Sequence, residues 1–185
     1  NTGFFTFEAI DMGAEEVIYI EGNTNHAHFV TKAKELLDLN ISVKNKYFDF
    51  QTDLAQEHAD IVLLFNVIHH LGEDFGDQNS TKVEALEAMK EAINYFSGKT
   101  EYLVLQMGFC WKGDRTKLLF ENGTKQEMID FVRLAIADHW EIQSIGIAES
   151  ENGETVYRPL SEKNILRDDS LGEFRNRPIF ILRSR

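Results

Sequence analysis

The sequence predicts an α/β fold, a doubly wound and mostly parallel sheet that ends in an antiparallel strand. Three observations carry it. Short β-branched or apolar runs alternate with stretches of helical spacing, the pattern of crossover units. The run Ile61 to Asn66 is continuous and apolar, as in a strand covered on both faces. The chain closes on two strand-like runs with no helix between them, which predicts an antiparallel hairpin at one edge of the sheet.

Taken in order, residues 6–12 have helical spacing, with Phe7 and Ile10 on one face and Gly13 as a cap. Residues 17–21 are β-branched and aromatic, so they predict a strand. Residues 25–39 predict a helix that buries Phe29, Ala33, Leu36 and Leu37, and residues 42–48 a second strand. The apolar run 61–66 follows. Thr81-Lys82-Val83-Glu84 and Thr124-Lys125-Gln126-Glu127 are capping boxes, and each opens a helix. Between them, residues 101–107 predict another strand. Residues 140–148 and 178–183 are the closing pair, separated by an irregular polar excursion over 149–177.

Composition suits one domain over residues 1–185: 43% of residues are apolar, 27% charged, and only two are proline. One cysteine, Cys110, excludes an internal disulfide framework. With no secretory pattern at the start, it points to a reducing, cytoplasmic setting. Asn79-Ser80-Thr81 and Asn122-Gly123-Thr124 are accordingly read as capping turns, not glycosylation sites. No run is long enough to span a bilayer, and a net charge of −12 opposes binding to nucleic acid. The charge is uneven, because residues 156–185 hold seven basic side chains against four acidic ones. That basic tail either faces an anionic acceptor or pairs with the acidic body.

Residues with chemistry gather at the predicted carboxyl ends of the strands, where ligands of open α/β sheets sit. Gly3 opens the first helix, Glu21 ends the first strand, Asp49 and Phe50 follow the second, and Asn66-Val67-Ile68-His69-His70-Leu71 follows the third. This pattern resembles the class I methyltransferases that use S-adenosylmethionine, a Rossmann-like family whose sheet also ends in a reversed strand. The resemblance covers nearly the whole chain, and the His-His-Leu ending is its most specific part. It aligns Asn1, Thr2 and Gly3 with the second half of the family's glycine-rich loop. It therefore implies that a first strand and the start of that loop are missing here, to be supplied by an upstream segment or by oligomerisation.

By the same resemblance, Glu21 binds the ribose hydroxyls, Asp49 and Phe50 meet the adenine, and the backbone at Asn66 and Val67 flanks the cofactor. Each acid also has a plainer reading, a solvated strand end for Glu21 and a turn for Asp49. His69 and His70 are candidate bases or rings satisfied within the fold, and adjacent histidines do not suit a zinc site. In the loop after the fourth predicted strand of this chain, Trp111, Lys112, Asp114 and Arg115 are candidate acceptor contacts, unless they only build a glycine-hinged surface loop. The implied activity is methyl transfer to an oxygen or nitrogen of a small acceptor, anionic or sugar-like. Two alternatives stand beside it. One is a nicotinamide-dependent oxidoreductase, against which Thr6 occupies the third glycine position and Phe4 and Phe5 crowd a pyrophosphate. The other is a non-catalytic fragment or partner subunit.

Overall fold

The computed structural model describes residues 2–54, 57–73 and 75–185. They form two compact units, 1–53 and 54–185, where the sequence predicts one domain. The strand ladders of each unit stay inside it among the described residues.

In the first unit, α1 (Phe4–Asp11) leads to β1 (Val17–Ile20), α2 (Thr24–Leu37) and β2 (Ile41–Lys44). β1 and β2 pair in parallel, with Val17 opposite Ile41 and Ile20 opposite Lys44. Asn23 starts α2 by accepting from the N–H groups of Asn25 and His26. Tyr19, Val30 and Ile41 form the small core, with Phe7, Ile10, Val17, Leu39 and Val43 packed around it. The predicted stripe on α2 has the right period and the wrong phase. Ala27 and Val30 are buried, while Phe29, Leu36 and Leu37 are exposed. The second strand is also shorter than predicted, because after Lys44 the chain turns back and Lys46 N–H donates to the Lys44 carbonyl.

In the second unit, β3 (Ala59–Phe65), α3 (Lys82–Asn94), β4 (Thr100–Gln106), α4 (Lys125–Ile136) and β5 (Trp140–Glu151) alternate as predicted. Both capping boxes are present, at Thr81 with Glu84 and at Thr124 with Glu127. β6 (Glu154–Pro159), α5 (Gly172–Asn176) and β7 (Ile179–Ser184) complete it. The sheet order is β3-β4-β7-β5-β6. β3, β4 and β5 run one way, and the closing strand β7 lies antiparallel between β4 and β5, not at the sheet edge as expected, with β6 and α5 in the segment before it.

Two further expectations are corrected. The excursion is not wholly irregular, because β5 continues to Glu151 and folds back as β6 through Asn152-Gly153, both at positive φ. Asn-Gly between strands is a strong two-residue hairpin signal, and here it extends the sheet. Lys125 then holds the rest of the excursion, its buried ammonium donating to the carbonyls of Asn164 and Leu166. The second correction is β3, which is an edge strand. Ile61 is 58% and Leu63 44% exposed, whereas Leu103 and Leu105 of β4 are fully buried. β4 has a hydrogen-bonded neighbour on each side and β3 has one among the described residues.

Candidate functional site

In the first unit, Glu21 directly follows β1. Its Oε1 accepts from Asn23 N–H at 2.8 Å and its Oε2 from the Tyr19 hydroxyl at 3.2 Å. Burial works against its charge, and the Asn23 N–H, with the Tyr19 hydroxyl a smaller contributor, is among the interactions that hold its pKa below the ordinary carboxylate value. Burial and Glu21 together push the Tyr19 phenol up, so it remains a donor. The side chain of Asn45 donates to the Glu21 carbonyl at 2.8 Å, tying the end of β2 to the end of β1.

Asp49 is arranged differently. Its Oδ2 accepts from the Thr52 hydroxyl and its Oδ1 from Gln51 N–H, bonds that close its own turn and lower its pKa. Phe50 stacks edge-on with Phe48, ring centroids 4.8 Å apart. Gly3 is demanded by packing within the unit. It caps α1 at φ 82°, and a Cβ there would stand 2.6 Å from Val30 Cγ2. Thr2 is exposed, and Asn1 lies outside the described residues.

In the second unit, the chain leaves β3 through Asn66 at φ 59° and enters a short 3-10 turn, Ile68–His70. Both ends of the Asn66 side chain are engaged. Its Nδ2 donates to Gln106 Oε1 at 2.9 Å, and its Oδ1 accepts from Arg177 Nη1 at 2.6 Å. Gln106 donates in turn to the Arg177 carbonyl. Arg177, only 5% exposed, also donates to Glu173 at 2.6 Å and lies over the ring of Phe174. Three strand ends, those of β3, β4 and β7, are thereby locked together. Val67 follows Asn66 and is half-buried.

The adjacent histidines have opposite environments. His69 is 2% exposed, and its Nδ1 accepts from Gly108 N–H at 3.1 Å, which puts the ring proton on Nε2. Burial, His70 and Arg177 push its pKa down to about 3, so it is neutral at physiological pH. Gly108 is required here, because a Cβ would lie 2.7 Å from the His69 ring and 3.2 Å from the Arg177 guanidinium. His70 is half-buried, with Nδ1 3.0 Å from Glu73 Oε2. A carboxylate on Nδ1 favours the tautomer whose Nε2 lone pair can accept a proton.

Of the four predicted acceptor contacts, three build the loop. Trp111 Nε1 donates to the Leu71 carbonyl at 3.0 Å, and Lys112 Nζ to the Gln78 carbonyl at 3.1 Å. Asp114 accepts from the backbone and hydroxyl of Thr116, which with Lys117 lowers its pKa to about 2. Arg115 instead lines a cavity of about 410 Å³ with Cys110, Leu118, Arg167, Asp169, Gly172 and Glu173. Burial and Glu173 push the Cys110 thiol up, so it stays protonated. A larger hollow of about 500 Å³ beside α3 and α4 contains none of the sequence-predicted site residues.

Sequence reasoning missed Glu73, Gln106, Arg167, Glu173 and Arg177. The basic tail was the only signal for the two arginines, and it did not say which strand ends they reach. Among the described residues, no group of three or more His, Cys, Asp or Glu side chains could hold a metal ion, and no helix is long and apolar enough to cross a membrane.

This architecture is the fold of S-adenosylmethionine-dependent methyltransferases. The chain superimposes over its full length on magnesium protoporphyrin IX methyltransferase from Synechocystis PCC 6803, solved with bound SAM, at a TM-score of 0.50 and 14% identity, covering 65% of that chain. It matches an S-adenosylmethionine-dependent methyltransferase from Clostridium acetobutylicum ATCC 824 over 98% of its length and 89% of that chain, at a TM-score of 0.51 and 5% identity. For Sp1610 from Streptococcus pneumoniae the TM-score is 0.51 and the identity 11%, with all of this chain covering 60% of that one. The likeness is one of fold, and the chain spans about 60% and 65% of the length of two of these three proteins. The sequence matches no protein-family model and no curated protein.

Proposed function

We propose that the chain carries the catalytic fold of an S-adenosylmethionine-dependent methyltransferase acting on an oxygen or nitrogen of a small acceptor. The carrying observation is Glu21, an acid kept ionised at the carboxyl end of β1 in a chain with this fold. Ribose hydroxyls are donors that such a carboxylate accepts. The residues fit the cofactor in part. Glu21 suits the ribose. Within the first unit, Gly3 and Thr2 offer backbone; within the second, the Asn66 side chain is fully engaged, which leaves only backbone at Asn66 and Val67. Asp49, like Glu21, accepts one bond on each oxygen from its own neighbourhood and keeps a second lone pair on each for the adenine amino group, and Phe50 suits the adenine face.

The cofactor supplies a sulfonium methyl group to a nucleophile held in line with it. The protein's work is then positioning, with a base needed only if the acceptor loses a proton. His70, oriented by Glu73, is the base in this reading. His69 stays neutral and serves as a buried support.

Calorimetric titration with S-adenosylhomocysteine tests the cofactor. Glu21→Ala should weaken binding by about tenfold or more, the value of a hydrogen bond to a charged group. Unchanged affinity removes Glu21 from the site, and binding of NAD alone would favour the oxidoreductase. No binding of either supports the non-catalytic reading, in which another strand completes the open apolar edge of β3.

A further inference from the structure

We propose that the cavity between the 110–118 loop and the start of α5 is a binding site for a carboxylate-bearing small molecule, clamped between Arg115 and Arg167. The assignment of that molecule as the methyl acceptor rests on the function proposed above; the binding site itself does not.

Arg115, Arg167, Asp169 and Glu173 line the cavity, and buried Arg177 stands behind Glu173. Three arginines against two acids leave one net positive charge. A carboxylate balances it. A phosphate monoester, at about −1.5 to −2, overshoots and meets Asp169 and Glu173.

The arginines are not equally committed. Glu173 gives Oε1 to Arg177 at 2.6 Å, and its Oε2 is 3.8 Å from Arg115 Nε, beyond hydrogen-bond reach. Arg115 is therefore steered by Glu173 without being bonded to it. Arg167 bonds Asp169 through Nε alone, and Asp169 is so exposed that the pair is easily exchanged in water. The two terminal nitrogens of Arg167 remain as a planar donor pair, the geometry that matches a carboxylate.

The wall between them is apolar and rigid. Cys110 and Leu118 face each other across an antiparallel bridge, and the thiol is held neutral. Gly172 adds no bulk, and the space its Cβ would occupy is open. An anionic head with an aromatic or aliphatic body fits two guanidinium groups beside a hydrophobic wall.

The test is titration of the chain with benzoate, followed by NMR shifts or calorimetry, with benzamide as the uncharged isostere and inorganic phosphate as a second anion. Benzoate should bind at least about tenfold more tightly than benzamide and than phosphate, and Arg167→Ala and Arg115→Ala should each weaken benzoate by about tenfold. Arg167→Lys should recover little, since an ammonium lacks the fork. Both arginines are at the surface, and unchanged urea unfolding would verify that the variants fold. Equal binding of benzoate and benzamide, tighter binding of phosphate, or no effect of either variant overturns the proposal. S-adenosylhomocysteine titrated separately keeps the two readings apart. Its failure alongside benzoate binding sinks the methyl transfer and leaves the carboxylate site standing.

Discussion

The turn after β3 and the loop after β4 hold most of the candidate site residues, and the network around Asn66 and His69 in the first is built differently from the bonds of Asp114 in the second. In the turn after β3, polar groups are buried and find partners far along the chain: Asn66 meets Gln106 and Arg177, and His69 meets Gly108. In the loop after β4, Asp114 bonds Thr116 and Lys117, almost its own neighbours, in water. Long-range buried bonds cannot be replaced by solvent when one partner is lost, whereas local exposed ones can. The Asn66, His69 and Arg177 network should therefore be brittle and the bonds of Asp114 tolerant.

Three measurements break or sharpen that contrast. The largest effect is expected from Arg177→Ala, which strands the Asn66 carbonyl oxygen and Glu173 and should cost about 3 kcal/mol in urea unfolding. A loss below about 1 kcal/mol, the range of a surface pair, would erase the difference between the regions. Next comes pH. His69 has a folded pKa of about 3 against 6.5 in its ordinary state, so between those values the unfolded chain binds a proton that the folded chain refuses. Its contribution is fully present above about 6.5 and is lost as pH falls towards 3. The unfolding midpoint of His69→Asn should fall less over that window than that of the parent chain; parallel slopes would mean that His69 is not the buried neutral ring described. The smallest effect is expected from Thr116→Ala, within about 0.5 kcal/mol, as for surface substitutions generally. A larger loss would show that the 109–115 loop depends on its local bonds.

The site was legible in the sequence to different depths. The positions of Glu21 and Asn66 at strand ends were readable because each closes a β-rich run, and strand ends in this fold class are where ligands bind. Trp111, Lys112 and Asp114 gave no sign of the hydrogen bonds they make in the structure, because residue type does not reveal a partner. Their backbone acceptors, Leu71 and Gln78, belong to a segment over 30 residues earlier in the chain. Arg177 carried no local signal, since a single arginine before Pro178 reads as surface. The same gap accounts for β3, whose apolar run is compatible with a central or an edge strand. Only its pairing decides which: β3 has one hydrogen-bonded neighbour among the described residues, and Ile61 and Leu63, on one face of it, are exposed.

The sequence by itself determined what depends on neighbours a few residues away. The two capping boxes, the strand and helix alternation, and the antiparallel closing strand follow from period, turn chemistry and connection length. The tertiary structure alone decided which of two adjacent histidines is buried beside Arg177 and which is held by Glu73. The Glu73 partner of His70 is local, but the burial of His69 is set by residues about 40 to over 100 positions away, and those distances close only when the sheet assembles.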